Sequence, residues 1–121
     1  MNVIHIDDSN EIRKLYQDMF TIDNHKIQSF ENGKIALKKI LENNYDLILL
    51  DMMMPDYSGI NFLQDLQKEK SSELKKVVIV SALDLTESQR QELLDFGIHS
   101  IEEKPPNLHS LVEMQKNMVF K

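Results

Sequence analysis

The chain has 121 residues, enough for one domain with a real hydrophobic core and too few to make two comfortably. Its 14 basic and 20 acidic side chains give a formal net charge of −6, the wrong sign for gripping nucleic acid through phosphates, so no direct nucleic-acid binding is expected. Cysteine is absent, which excludes disulfides, thiolate metal sites and a cysteine nucleophile and fits the cytoplasm.

The first strand is expected at Asn2 to Ile6, and two aspartates follow it at once. That start is too short and too acidic for a signal peptide, and no apolar run reaches the ~20 residues of a membrane helix, so no membrane insertion is expected. Ile12, Leu15, Tyr16, Met19 and Phe20 recur at helical spacing and predict a first helix with one apolar stripe. A second strand at Lys26 to Phe30 precedes a helix that opens on the N-cap Asn32 and carries Leu37, Ile40 and Leu41. The third strand, Asp46 to Leu50, contains the unbroken apolar run Leu47-Ile48-Leu49-Leu50. A third helix with Phe62, Leu63 and Leu66 starts after Ser58. Lys76 to Val80 is the fourth strand, again continuously apolar, as suits parallel strands covered on both faces. Thr86 and Gln89 form a capping box for the fourth helix, and Phe96-Gly97 ends it. Ile98 to Ile101 is the fifth strand. A fifth helix follows Pro106 and Asn107 with Leu108, Leu111, Val112, Met118 and Val119.

Five βα units with right-handed crossovers predict a single α/β domain over 1–121: a doubly wound, flavodoxin-like (βα)5 sandwich with a parallel sheet in the order 2-1-3-4-5. In such sheets a site lies beyond the carboxyl ends of the strands. Polar residues stand at those ends: Asp7 and Asp8 after strand one, Asp51 after strand three, Ser81 after strand four and Lys104 past strand five. Three carboxylates in one crevice repel, and a hard divalent cation such as Mg²⁺ suits them better than zinc. Ser81 can donate to a phosphoryl oxygen, and Lys104 can neutralise another. The set reads as a phosphoryl-transfer site with Asp51 as the nucleophile.

The ordered set of Asp7-Asp8, Asp51 with Pro55 four and Gly59 eight residues later, Ser81-Ala82 and Lys104-Pro105 resembles the receiver domains of two-component response regulators along essentially the whole chain. The resemblance implies that Asp51 accepts a phosphoryl group from a sensor histidine kinase or a histidine phosphotransfer protein. Mg²⁺ would be held by Asp8, Asp51 and the backbone carbonyl of Met53, with Asp7 acting largely through water. Ser81 and Lys104 would contact phosphoryl oxygens, and the Lys104-Pro105 bond would be cis. A downstream protein target and a monomer or weak dimer are further expectations, and the chain is read as a stand-alone signalling module, not an enzyme with a separate substrate.

Taken singly, each of these residues has a plainer reading: a solvated turn for the acidic pair, a strand-end hydroxyl for Ser81, a surface lysine for Lys104. His5 shares a strand face with Asp7, yet a packed histidine is favoured over a metal ligand because no second imidazole stands beside it. His25, His99 and His109 are expected at surfaces or element ends. Met52-Met53-Met54 reads as adaptable apolar packing, and Lys34, Lys38 and Lys39 as a solvated helix face.

Four positions depart from the family pattern. Ile101 stands where an aromatic side chain is usual, so a response by repacking is expected in place of a ring rotation. Pro106 stiffens the entry to the fifth helix. Met53 and Leu83 flank the phosphate position and cannot activate water, which implies slow self-dephosphorylation. Three rivals remain at this level: a receiver-like binding module that is never phosphorylated, a Mg²⁺-dependent phosphatase working through an aspartyl phosphate, and a receiver fragment of a longer regulator.

Overall fold

The run Leu47-Ile48-Leu49-Leu50 has no polar alternation, so it can be stable only where both faces of a strand are covered. In the computed structural model, which describes residues 1–52, 57–81 and 85–103, that run is the central strand β3 (Leu47–Leu50), and every residue of it is buried. β1 (Asn2–Ile6), β2 (Lys26–Phe30), β4 (Val77–Ser81) and β5 (Ser100–Glu103) complete a parallel sheet in the order β2-β1-β3-β4-β5. The helices are α1 (Asn10–Ile22), α2 (Gly33–Glu42), α3 (Gly59–Lys70) and α4 (Glu87–Leu94). The fold class and strand order are those expected from the sequence. The fifth helix, Lys104-Pro105 and Pro106 lie outside the described residues.

Alternation along the strands sorts the core into two layers. Ile4, Ile6, Ile48, Leu50, Val77 and Ile79 pack with Ala36 and Ile40 of α2 and with Phe62, Leu63 and Leu66 of α3. Val3, Leu47, Leu49, Val78 and Val80 face the other way, onto Tyr16 and Phe20 of α1. Each of these four α-helices among the described residues starts where a side-chain oxygen takes an orphan amide. Ser9 accepts from Ile12, Asn32 from Lys34 and Ile35, and Ser58 from Asn61, while Thr86 and Gln89 cap α4 reciprocally.

Some boundaries and faces differ from expectation. β5 starts two residues later than Ile98. Ile98 is buried as a lead-in, His99 donates its amide to Val77, and paired residues begin at Val78 with Ser100. Apolar character alone therefore misplaced the strand. The residues before Val77 form a 3-10 turn, Ser71–Lys76, in which the buried Glu73 carboxylate meets Lys76 at 2.6 Å and Lys70 at 3.3 Å. Leu15 and Leu41 are each 40% exposed, so neither belongs to the buried stripe of its helix. In α2 the small residues Gly33 and Ala36 are buried in place of Leu41, because close packing on the sheet favours them there. Ile101 lies opposite Ile79 on β5 and packs, partly buried, against the larger core layer.

Candidate functional site

The ladder continues just past the strand ends and sets the acidic residues side by side. Asp7 donates its amide to Phe30 at 3.0 Å, and Asp51 donates its amide to Ile6 at 2.9 Å, so Asp51 is tied to the residue that precedes Asp7. One carboxylate oxygen from each of Asp7, Asp8 and Asp51 lies within 4.8 Å of the others; Asp7 and Asp51 are buried and Asp8 is exposed. Anions brought this close out of bulk water repel strongly, and an all-oxygen donor set open on one side is what a hard divalent cation accepts. The trio therefore fits Mg²⁺ on its own chemistry. Ser81 is buried at the end of β4, the strand next to β3 at the same edge of the sheet. With Leu50 opposite Ile79, Ser81 lies one step beyond the level of Asp51. Met53, Leu83 and Lys104 lie outside the described residues.

Asp7 is framed closely. Its Oδ1 accepts from the Ser9 amide at 2.9 Å, while its backbone carbonyl accepts from the Arg13 guanidinium at 2.9 Å. The same guanidinium reaches Asn10 Oδ1 at 3.2 Å, so one arginine joins the strand end to the first turn of α1. On the other side, His5 Nε2 stands 3.8 Å from Asp7 Oδ2, with both side chains almost fully buried. The His5 ring stacks on Tyr16 with centroids 4.2 Å apart. His5 is thus a packed histidine, as expected, and it is not one of the three clustered acidic residues. The sequence reading passed over Ser9 and Arg13 and took Tyr16 only as an apolar position of α1. Ser9 three residues before Ile12 was a legible cap, but nothing in spacing shows that Arg13 folds back over Asp7.

Burial raises the Tyr16 phenol above its ordinary pKa, and the charges of Asp7 and Asp51 add to the effect. The phenol therefore stays neutral. Its hydroxyl is buried with no hydrogen-bond partner among the described residues. Leaving such a group unsatisfied costs on the order of 1–3 kcal/mol, so Tyr16→Phe is expected to stabilise the protein by about 1 kcal/mol in urea unfolding. A loss of stability would mean that the hydroxyl is satisfied in solution.

A second tyrosine fastens the far end of the segment that follows Asp51. The Tyr57 hydroxyl donates to the Asp65 carboxylate on α3, and Lys34 Nζ sits 5.7 Å from the centre of its ring. Burial raises the Tyr57 pKa, and the hydrogen bond to Asp65 and that residue's charge raise it further. Gly59 opens α3 directly against the strand end, with its amide 3.4 Å from the Met52 carbonyl.

Comparison with known proteins agrees with this fold. The family model described as the response regulator receiver domain matches residues 3–116. The transcriptional regulatory protein ResD of Bacillus subtilis is 40% identical over 70 residues, covering 58% of this chain and 29% of the relative. Among solved structures, the Francisella response regulator 1452 receiver domain superposes with a TM-score of 0.80 at 31% identity, covering 97% of this chain and 98% of that one. The Thermotoga maritima response regulator TrrA, solved in complex with Mg²⁺-BeF, gives a TM-score of 0.77 at 29% identity over 97% of both chains. Against curated relatives the chain spans from under a third to about half of their length.

Proposed function

Because the chain belongs to the response regulator receiver family of two-component signalling, we propose that it is a phosphoacceptor module whose Asp51 takes a phosphoryl group from a phosphohistidine. The observation that carries this reading is the convergence of Asp7, Asp8 and Asp51 at the carboxyl edge of the sheet. An oxygen of Asp51 forms the new P–O bond as the N–P bond of the donor breaks. The electron pair stays on the donor imidazole, which takes up a proton, and an acyl phosphate remains on the protein. Ser81 donates its hydroxyl to one phosphoryl oxygen, and Lys104 neutralises another. Asp8, Asp51 and the Met53 carbonyl would hold Mg²⁺, with Asp7 acting largely through water, and the cation would supply positive charge against that of the incoming group.

The work left to the protein is positioning and charge balance. No other substrate is implied, so the module assists its own phosphorylation and, slowly, its own dephosphorylation, since Met53 and Leu83 offer no group to activate water. Its donor would be a sensor histidine kinase or a histidine phosphotransfer protein, and its output contact with a protein target. The formal charge of −6 argues against nucleic-acid binding by these residues themselves. The Bacillus relative, of which this chain covers 29%, is a transcriptional regulatory protein. Among the described residues no helix is long and apolar enough to cross a membrane, and we place the module in the cytoplasm, as a monomer or weak dimer.

The direct test is incubation with acetyl phosphate and Mg²⁺, followed by intact mass measurement. One phosphoryl increment is expected, lost when EDTA replaces Mg²⁺. A mass that stays unchanged under saturating donor would leave a receiver-like binding module that works without phosphorylation.

A further inference from the structure

A buried imidazole next to a cluster of carboxylates is not something the fold requires. The His5 position lies within β1, between the buried residues Ile4 and Ile6, and an aliphatic side chain would satisfy the layer beneath α1. A polar ring in such a place costs desolvation unless it has a task. Its surroundings show which one. Asp7 Oδ1 is taken by the Ser9 amide, and Oδ2 faces His5 Nε2 at 3.8 Å. The ring itself is held by the stack on Tyr16, which lies on α1 together with Arg13.

We propose that His5 is a positioning residue for the acidic site: its imidazole edge orients the Asp7 carboxylate so that the trio is preset for a divalent cation. The separation is longer than a hydrogen bond, and such contacts commonly tighten when the ligand arrives. Groups that orient metal-binding carboxylates in this way typically contribute 10–100-fold in affinity. The inference rests on the phosphoacceptor reading only in assuming that the trio takes a cation.

The test measures Mn²⁺ binding to unphosphorylated protein by electron paramagnetic resonance, with Mn²⁺ standing in for Mg²⁺. His5→Phe keeps the stack on Tyr16 and removes both nitrogens; it should weaken Mn²⁺ binding about tenfold, with far-ultraviolet circular dichroism and metal-free melting showing an intact fold. His5→Gln restores an N–H donor and should recover most of the loss. The proposal is overturned if His5→Phe binds Mn²⁺ as the wild type does, or if folded His5→Gln and His5→Phe lose affinity equally, which would mark a purely structural role. Should His5→Phe fail to fold, His5→Leu, which also lacks both ring nitrogens, takes its place under the same two criteria. A folded wild type that binds no Mn²⁺ would overturn the site reading and this inference together, an outcome distinct from the others.

Discussion

Asp51→Asn is expected to remove phosphorylation altogether and, at the same time, to make the metal-free protein more stable. The first effect follows because an amide oxygen is a far weaker nucleophile than a carboxylate and no acyl phosphate can form on it. The second follows from charge. Asp7, Asp8 and Asp51 present oxygens within 4.8 Å of one another, and Asp7 and Asp51 are withdrawn from solvent. Two like charges at about that separation repel by roughly 1–3 kcal/mol at the effective dielectric of a protein edge. Removing Asp51 relieves two such pairs, of which the one with the exposed Asp8 is largely screened by solvent, so a gain of about 1–3 kcal/mol is expected in EDTA. Mg²⁺ should narrow the gap, because a cation bound to the native trio would stabilise the wild type more than the variant. Urea unfolding with EDTA and with Mg²⁺, together with intact mass after acetyl phosphate, checks both halves. A variant that still gains a phosphoryl increment, or that is less stable than the wild type in EDTA, would contradict the account. Sites that bind ions commonly hold such unfavourable groupings, because the arrangement that suits the ligand does not suit the empty fold.

Gly59→Ala should disturb the same site from behind. A Cβ at this position would lie 2.6 Å from Met52 Sδ, 3.0 Å from Met52 Cα and 3.2 Å from the Asp51 carbonyl oxygen. The sulfur sits on a flexible side chain and can swing away. The two backbone atoms cannot, so either α3 backs off or the strand end that carries Asp51 shifts. Forced overpacking of this kind costs typically 1–3 kcal/mol, of which the better helix propensity of alanine returns a part. The rate of phosphorylation by acetyl phosphate should fall several-fold, because a nucleophile displaced by a fraction of an ångström loses its alignment. Gly97→Ala is the matching control. Gly97 has φ of +90° and open space where a Cβ would go, so alanine there strains the backbone far from the acidic trio. It should lower stability by about 1–2 kcal/mol and leave the phosphorylation rate unchanged. Equal rates for wild type and Gly59→Ala would show that the contact at Met52 does not govern Asp51.

The sequence made Gly59 visible only as a glycine eight residues after Asp51. The neighbouring backbone atoms decide for close packing. His5 went the other way: the alternation along β1 placed it on the same strand face as Asp7, and the structure gives that parity a partner, a distance and a stack on Tyr16. Tyr16 was legible as one apolar position among five on α1. Its stack on His5, within the influence of the Asp7 and Asp51 charges, was not, because a helical period fixes a face and leaves open what the opposing strand carries. The start of β5 was misread for a related reason. Apolar residues mark burial, whereas strand limits are set by backbone pairing with β4, which begins two residues after Ile98.

What the sequence by itself determined is the order of the elements, the parallel sheet and the place of the site. Each of these follows from local facts: unbroken apolar strands need cover on both faces, capping residues start helices, and right-handed crossovers leave few ways to stack the units. What only the tertiary structure decided is how residues distant along the chain meet: Asp7, Asp8 and Asp51 sharing one small space, Arg13 closing over the Asp7 carbonyl, and α3 resting on the backbone beside Asp51. Those contacts depend on strand register and on packing distances of a few ångströms. Period and composition carry no record of either, since many registers satisfy one apolar pattern and the packing of the whole core selects among them.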